Sequence, residues 1–200
     1  MIEVNNLSFA RGDTLTYKDI YFKVSSGELL LIRGANGVGK TTLLSNILNF
    51  TDQLTGQITY NGNIIDNQIV SESFLYIGEN NFAYDTLTLS QNIDYWLSVH
   101  NVNFDKFIKN KSVNFLFQEL NLDKKFYQLS FGQKKKLQLL LLMLVNKPVW
   151  ILDDPYSGLD TRSITKINTL FKKKLENKGI IIVSSHQKIN LRNYKTLQLT

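Results

Sequence analysis

The run Gly34-Ala35-Asn36-Gly37-Val38-Gly39-Lys40-Thr41-Thr42 has the residue types of an anion cradle. It fits the spacing G-x-x-x-x-G-K-[ST] and stands between a strand-like run, "ELLLIRG", and a helix-like one, "GKTTLLSNILNF". That context makes the motif credible. Glycines let the backbone curl so that successive N–H groups converge, and the start of a helix adds partial positive charge. In such a loop Lys40 reaches the β- and γ-phosphates of a nucleoside triphosphate. Thr41 offers its hydroxyl to Mg²⁺, and Thr42 meets another phosphate oxygen.

A second chemistry-bearing stretch is "VWILDDPYSGLD", Val149 to Asp160, where four apolar residues run directly into two acids. A strand this greasy is buried on both faces of a mostly parallel sheet. An unpaired carboxylate at its end is costly to bury, whereas one facing a metal is not. Asp153 therefore reads as the second magnesium anchor beside Thr41. Asp154 follows it directly.

Further phrases stand around these two. "LSFGQ", Leu129 to Gln133, precedes the "ILDD" strand by about twenty residues; "SGLD", Ser157 to Asp160, follows it; "VSSHQ" puts His186 at the end of another strand. In order and spacing the five motifs resemble those of the ATP-binding cassette (ABC) ATPases, over essentially the whole chain. The resemblance implies ATP and Mg²⁺ as cofactors and a head-to-tail homodimer with two ATPs sandwiched between subunits. Each ATP lies on one subunit's P-loop and under the other's signature, where Ser130, Gly132 and Gln133 begin a helix; Asp160 belongs to the D-loop. It also implies that His186 contacts the γ-phosphate.

Three positions depart from the family pattern. The expected Q-loop glutamine is replaced, with Asn80 in "YIGENN" the nearest match for contacts to nucleotide and metal. The aromatic that stacks on adenine is represented by Arg11 in "LSFARGD", whose guanidinium plane can stack on a base; Phe9 and Tyr17 are the alternatives. The family's glutamate after the magnesium acid, which polarises the attacking water, is Asp154 here, one carbon shorter, by about 1.5 Å. Misplacing a catalytic group by about 1 Å can cost on the order of 10²-fold, so slow hydrolysis is expected, and an ATP-binding switch is the rival reading.

Within the family, the compact form and the phrases "LYIGENNFAYDTLTLSQNIDYW", "PVWILDDPYSGLD" and "GIIIVSSHQKINL" resemble the heme-exporter ATPases of c-type cytochrome biogenesis. That resemblance implies transmembrane partner subunits, docked through a helical lobe in which Phe82, Tyr84, Tyr95 and Trp96 are the candidate contacts. Trp96 reads rather as lobe core. It also implies peripheral attachment at the cytoplasmic face of the inner (plasma) membrane, or at the matrix face of the inner mitochondrial membrane for an organelle-encoded chain. With no long coiled-coil or zinc insertion and a single cassette, a nucleic-acid role is disfavoured.

The elements that must position these groups alternate strand and helix, which argues for an α/β fold. The expected architecture is a P-loop NTPase sheet with an N-terminal antiparallel β-subdomain and an inserted helical lobe. "IEVNNLSF" and "IYFKV" read as antiparallel strands, "GQITYNGNII" as a hairpin turning at Asn61-Gly62, and "SFLYIG", "VWILD", "GIIIVSS" and "TLQL" as further strands. Residues 83–125 show helical spacing in "LTLSQNIDYWLSVH" and "NFDKFIKNKSVNFLFQEL". The organisation expected is a single domain over 1–200, with a core of 1–82 and 126–200 and a lobe of about 83–125.

Composition bounds the rest. With no cysteine there are no disulfides or thiolate metal sites, and two histidines make a structural zinc site a poor expectation. The longest apolar run, "LLLLMLV", is far short of the roughly 20 residues of a membrane span. A soluble or peripheral protein is expected. The net charge of +6 comes almost wholly from scattered lysines. The triplets Lys134–Lys136 and Lys172–Lys174 lie in helix-like segments, where solvated faces are expected.

Overall fold

A computed structural model describes residues 1–79, 83–102, 121–187 and 189–200. They form two compact units, one of Met1–Ile77, Lys147–Pro155 and Phe171–Thr200, the other of Gly78–Asn146 and Tyr156–Leu170.

The described residues of the first unit hold nine strands, β1 (Ile2–Arg11), β2 (Thr14–Val24), β3 (Leu29–Arg33), β4 (Thr55–Tyr60), β5 (Asn63–Ile64), β6 (Phe74–Ile77), β7 (Val149–Asp153), β8 (Ile180–Ser184) and β9 (Lys195–Gln198). Two helices, α1 (Lys40–Ile47) and α2 (Asn67–Ser73), lie between them. An antiparallel sheet runs β2-β1-β4-β5 and a parallel one runs β6-β7-β8-β3-β9. β4 and β5 are joined through Asn61 and Gly62 with φ of 51° and 86°, the two left-handed residues of the commonest hairpin turn. β2 begins earlier than the "IYFKV" run, because bulges in its pairing with β1 carry the ladder through the polar stretch Thr14–Asp19.

β7 and β8 are buried along their whole length, and β3 is buried up to Arg33. This is why they read as unbroken apolar runs. One core joins both sheets of this unit: Ile2, Val4 and Leu7 of β1 share it with Leu30 and Ile32 of β3, Leu43 and Ile47 of α1, and Ile151 and Ile182. α2 was not legible as a helix, since it buries no residue; the Asp66 carboxylate caps it by accepting the Ile69 N–H at 2.7 Å.

The described residues of the second unit include α3 (Leu89–Val99), a 3₁₀ turn at Phe126–Gln128, α4 (Phe131–Leu139), α5 (Leu141–Leu144) and the start of α6 (Thr161–Glu176). α3 opens with a capping box between Thr88 and Gln91. Its inner face is Leu89, Ile93, Trp96 and Leu97, so Trp96, at 4% exposure, is core as expected. The helix-like segment at 103–120 lies outside the described residues.

The expected solvated face at Lys134–Lys136 is overturned. Lys135 is 2% exposed and sits on the buried stripe of α4 with Gln138 and Leu139, at helical spacings of three and four. Its Nζ donates to the Gly78 carbonyl at 3.3 Å. Lys134 lies over the Phe126 ring, and Lys136 pairs with an acid. In the second triplet Lys172 is solvated, but Lys174 is half-buried over Trp150.

Candidate functional site

The cradle forms where β3 leaves the parallel sheet and α1 begins. Gly39 precedes α1 with φ of 101°, and a Cβ there would stand 2.5 Å from Thr16 Cγ2. Glycine alone meets both demands. Gly34 is held as closely, since a Cβ would lie 2.6 Å from Val38 Cγ1 and 2.8 Å from the Leu199 carbonyl oxygen. Ala35, Asn36 and Gly37 are exposed, and Val38, Gly39, Lys40 and Thr42 are half-buried. Lys40 Nζ donates to the carbonyls of Gly34 and Ala35, at 2.9 and 2.8 Å. The ammonium is thus folded over the loop that would receive phosphate.

The acids arrive from β7. Asp153 is buried, and its Oδ2 accepts the Thr41 hydroxyl at 2.6 Å. Its Oδ1 accepts the Ser184 hydroxyl. The hydroxyl and carboxylate oxygens are the hard donors that Mg²⁺ takes, usually with water and phosphate oxygens completing the shell. Among the described residues no cluster of three or more His, Cys, Asp or Glu forms a closed metal cage. One hydroxyl and one carboxylate leave most of a magnesium's shell to other oxygens, so these residues fit an ion that arrives with a nucleotide.

Asp154 has φ of 41°, a left-handed conformation. Its N–H is shared by the Ser184 carbonyl at 3.0 Å and the Ser184 hydroxyl at 3.1 Å. Its Oδ1 accepts the Ser185 hydroxyl at 3.3 Å, and that hydroxyl in turn accepts the Gln187 N–H at 3.0 Å. His186 is exposed in the bend after β8.

Arg11 is exposed at the tip of the β1–β2 hairpin, opposite Thr14. Tyr17, one of the alternatives for a base platform, is buried. Its hydroxyl donates to Asn46 Oδ1 on α1, and burial pushes its phenol above the ordinary range. Tyr17 braces the cradle's helix and offers no open ring face. Asn80 lies outside the described residues.

The second unit carries the signature and D-loop residues. Ser130 is exposed and caps α4: its hydroxyl accepts the Gln133 N–H at 3.2 Å, and Gln133 Oε1 accepts the Ser130 N–H at 3.0 Å. The Ser130 N–H is thus occupied. The hydroxyl proton and the N–H groups of Phe131 and Gly132 are what this helix end offers. Gly132 lies against the D-loop, where a Cβ would stand 2.7 Å from the Gly158 carbonyl oxygen. Asp160 accepts the Ser163 N–H at 2.7 Å and pairs with Lys136 at 3.0 Å. The Ser163 N–H first, and then Lys136, hold its carboxyl well below the usual carboxylate range.

Sequence reasoning passed over Ser184, Ser185 and Lys136. The serines were in view in "VSSHQ", but only the register of β8 against β7, which sets Ser184 beside Asp153, reveals what they touch.

Known proteins resemble this chain over most of its length. The ABC transporter family profile matches residues 17–157, and an AAA domain profile matches 123–192. The cytochrome c biogenesis ATP-binding export protein CcmA of Reclinomonas americana is 32% identical over 195 residues, 96% of this chain and 87% of that protein. Its counterpart in Vibrio cholerae is 32% identical over 98% of this chain and 95% of its own. Among solved structures, an ABC transporter ATP-binding protein from Pyrococcus furiosus superposes with a TM-score of 0.81 at 28% identity, covering 99% of this chain and 96% of that one. With the family profile spanning most of its length, the chain belongs to the ABC transporter family, as an ATP-binding, ATP-hydrolysing subunit.

Proposed function

We propose that this chain drives a heme-exporting transporter of c-type cytochrome biogenesis, by binding and hydrolysing Mg-ATP. The observation that carries the ATPase part is the meeting of Thr41 with Asp153 at the mouth of the glycine cradle. The likeness to CcmA proteins across nearly the whole chain supports the pathway.

In this reading residues 34–42 receive the triphosphate, with Lys40 swinging from its two carbonyls to the β- and γ-phosphates. Thr41 and Asp153 would hold Mg²⁺, with Asn80 as a further contact; the ion supplies charge neutralisation to the phosphates. Asp154 accepts or orients the proton of the attacking water, and His186 meets the γ-phosphate. Arg11 stacks on the adenine. Ser130, Gly132, Gln133 and Asp160 act on the nucleotide of a second copy in a homodimer.

Transmembrane subunits are the proposed partners, docked on the lobe of about 83–125, which attaches the chain peripherally to the cytoplasmic or matrix face of the membrane. No described helix is long and apolar enough to cross a membrane. Tyr84 and Tyr95, exposed and in edge-to-face contact at 5.2 Å, are the proposed docking aromatics. The further candidate Phe82 lies outside the described residues.

The test is genetic and enzymatic. Deleting the gene should abolish covalent heme staining of c-type cytochromes, and Lys40→Ala should not restore it. Normal cytochromes in the deletion would defeat the pathway assignment while leaving the ATPase intact. A second reading, a hydrolysis-poor switch, is favoured by Asp154 standing where glutamate is usual; nucleotide-driven dimers that release no phosphate would establish it.

A further inference from the structure

Two acids meet Ser184 at the C-terminal ends of β7 and β8, and its hydroxyl connects them. In the parallel register Asp153 stands beside Ser184. Ser184 is fully buried, at 0% exposure. Its O–H donates to Asp153 Oδ1, while its oxygen accepts the N–H of Asp154. The same side chain therefore touches the carboxylate of one acid and the backbone of the next.

We propose that Ser184 is a positioning residue that fixes both acids, aiming Asp153 Oδ2 at Thr41 and holding Asp154 in its left-handed turn. The proposal rests on the reading of Asp153 as the magnesium acid. A carboxylate rotates about its Cβ–Cγ bond in a broad well. With Oδ1 bound to Ser184, that rotation is restrained and Oδ2 is the oxygen left facing the cradle, 2.6 Å from Thr41 Oγ1. Asp154 has φ of 41°, where non-glycine residues are uncommon and strained. Its N–H finds two acceptors there, both supplied by Ser184. An aliphatic residue at 184 would leave a buried carboxylate oxygen without this donor, and such losses are expensive.

A serine that only filled space would affect stability alike with and without magnesium. A positioning serine must affect the response to the ion. The test uses the purified full chain as wild type, Ser184→Ala, Ser184→Cys and, as reference, Asp153→Asn. Binding of fluorescent mant-ATP is measured in EDTA and in Mg²⁺, with the Tm of each nucleotide-free protein alongside. Wild type should tighten on adding Mg²⁺, and Asp153→Asn should lose that gain. Ser184→Ala should bind as wild type does in EDTA but lose about tenfold of the Mg²⁺-dependent gain, the weight of one hydrogen bond to a charged group. Ser184→Cys keeps the shape with a weaker donor and should lose part of the gain; it carries the test if the alanine variant does not fold. A full magnesium response in the Ser184 variants beside a lost one in Asp153→Asn overturns this proposal alone. A full response in Asp153→Asn overturns the magnesium reading and this proposal with it.

Discussion

Thr41 Oγ1 donates to Asp153 Oδ2 at 2.6 Å across 112 positions of sequence. The contact joins the first turn of α1 to the end of β7, and both oxygens are of the kind magnesium prefers. Asp153→Asn keeps the shape and removes the charge. Since charge stabilisation of this kind is worth several kcal/mol, steady-state phosphate release should fall by on the order of 10²-fold or more. An unchanged rate would remove Asp153 from the mechanism.

Asp154 should show the opposite balance of binding and turnover. Asp154→Asn should keep nucleotide affinity and lower the single-turnover rate by on the order of 10²- to 10⁴-fold, the range of a lost general base. Asp154→Glu should raise kcat by restoring reach, at some cost in Tm because aspartate tolerates positive φ better than glutamate. If kcat stays level, carboxylate length does not limit the reaction.

Gly158 allows the D-loop to touch the signature helix. With φ of 72°, its missing Cβ would fall 2.3 Å from Phe131 Cδ1. Gly158→Ala should cost about 1–3 kcal/mol in urea unfolding, from backbone strain and overpacking together. Adding Phe131→Ala should recover the overpacking part, and a double-mutant cycle measures it. Strict additivity would mean the ring simply moves aside.

The Lys136–Asp160 pair should appear in the acid limb of stability. The folded carboxyl lies below its ordinary value of 3.8. The stability it adds is complete above that value and is lost as the pH falls toward the lowered folded pKa. Lys136→Met removes the second of its two supports, so Asp160 should titrate at higher pH in carboxyl NMR. Asp160 is 57% exposed, so the change in unfolding free energy at neutral pH should stay within about 1 kcal/mol. An unmoved titration would leave the Ser163 N–H as its whole support.

What the sequence made legible was local. The cradle announces itself because its glycines, Lys40 and Thr41 are contiguous, and the Asn61-Gly62 hairpin because two residues fix its turn. Asp153 was legible because a charge ending a buried strand demands a reason. Ser184 was not: a serine closing an apolar strand is unremarkable until its neighbour strand and register are known. Lys135 misled because three lysines in succession look like a solvated face, whereas a helix must turn one of any such three inward when its neighbours at three and four are apolar or buried. Tyr17 read as an alternative base platform, and only its burial and its bond to Asn46 show it to be a brace.

The place of β3 in its sheet has a consequence for biosynthesis. The strand that feeds the cradle is made among the first 33 residues, yet both its partners, β8 and β9, begin only at Ile180 and Lys195. As the chain leaves the ribosome, "LLLIR" has no edge to pair with until nearly all the rest has been translated. Such distant pairings are slow to form and leave sticky intermediates. The nascent polypeptide is therefore a candidate client for chaperones that shield apolar segments, and competence to hold nucleotide should appear late, only once the last strands have emerged.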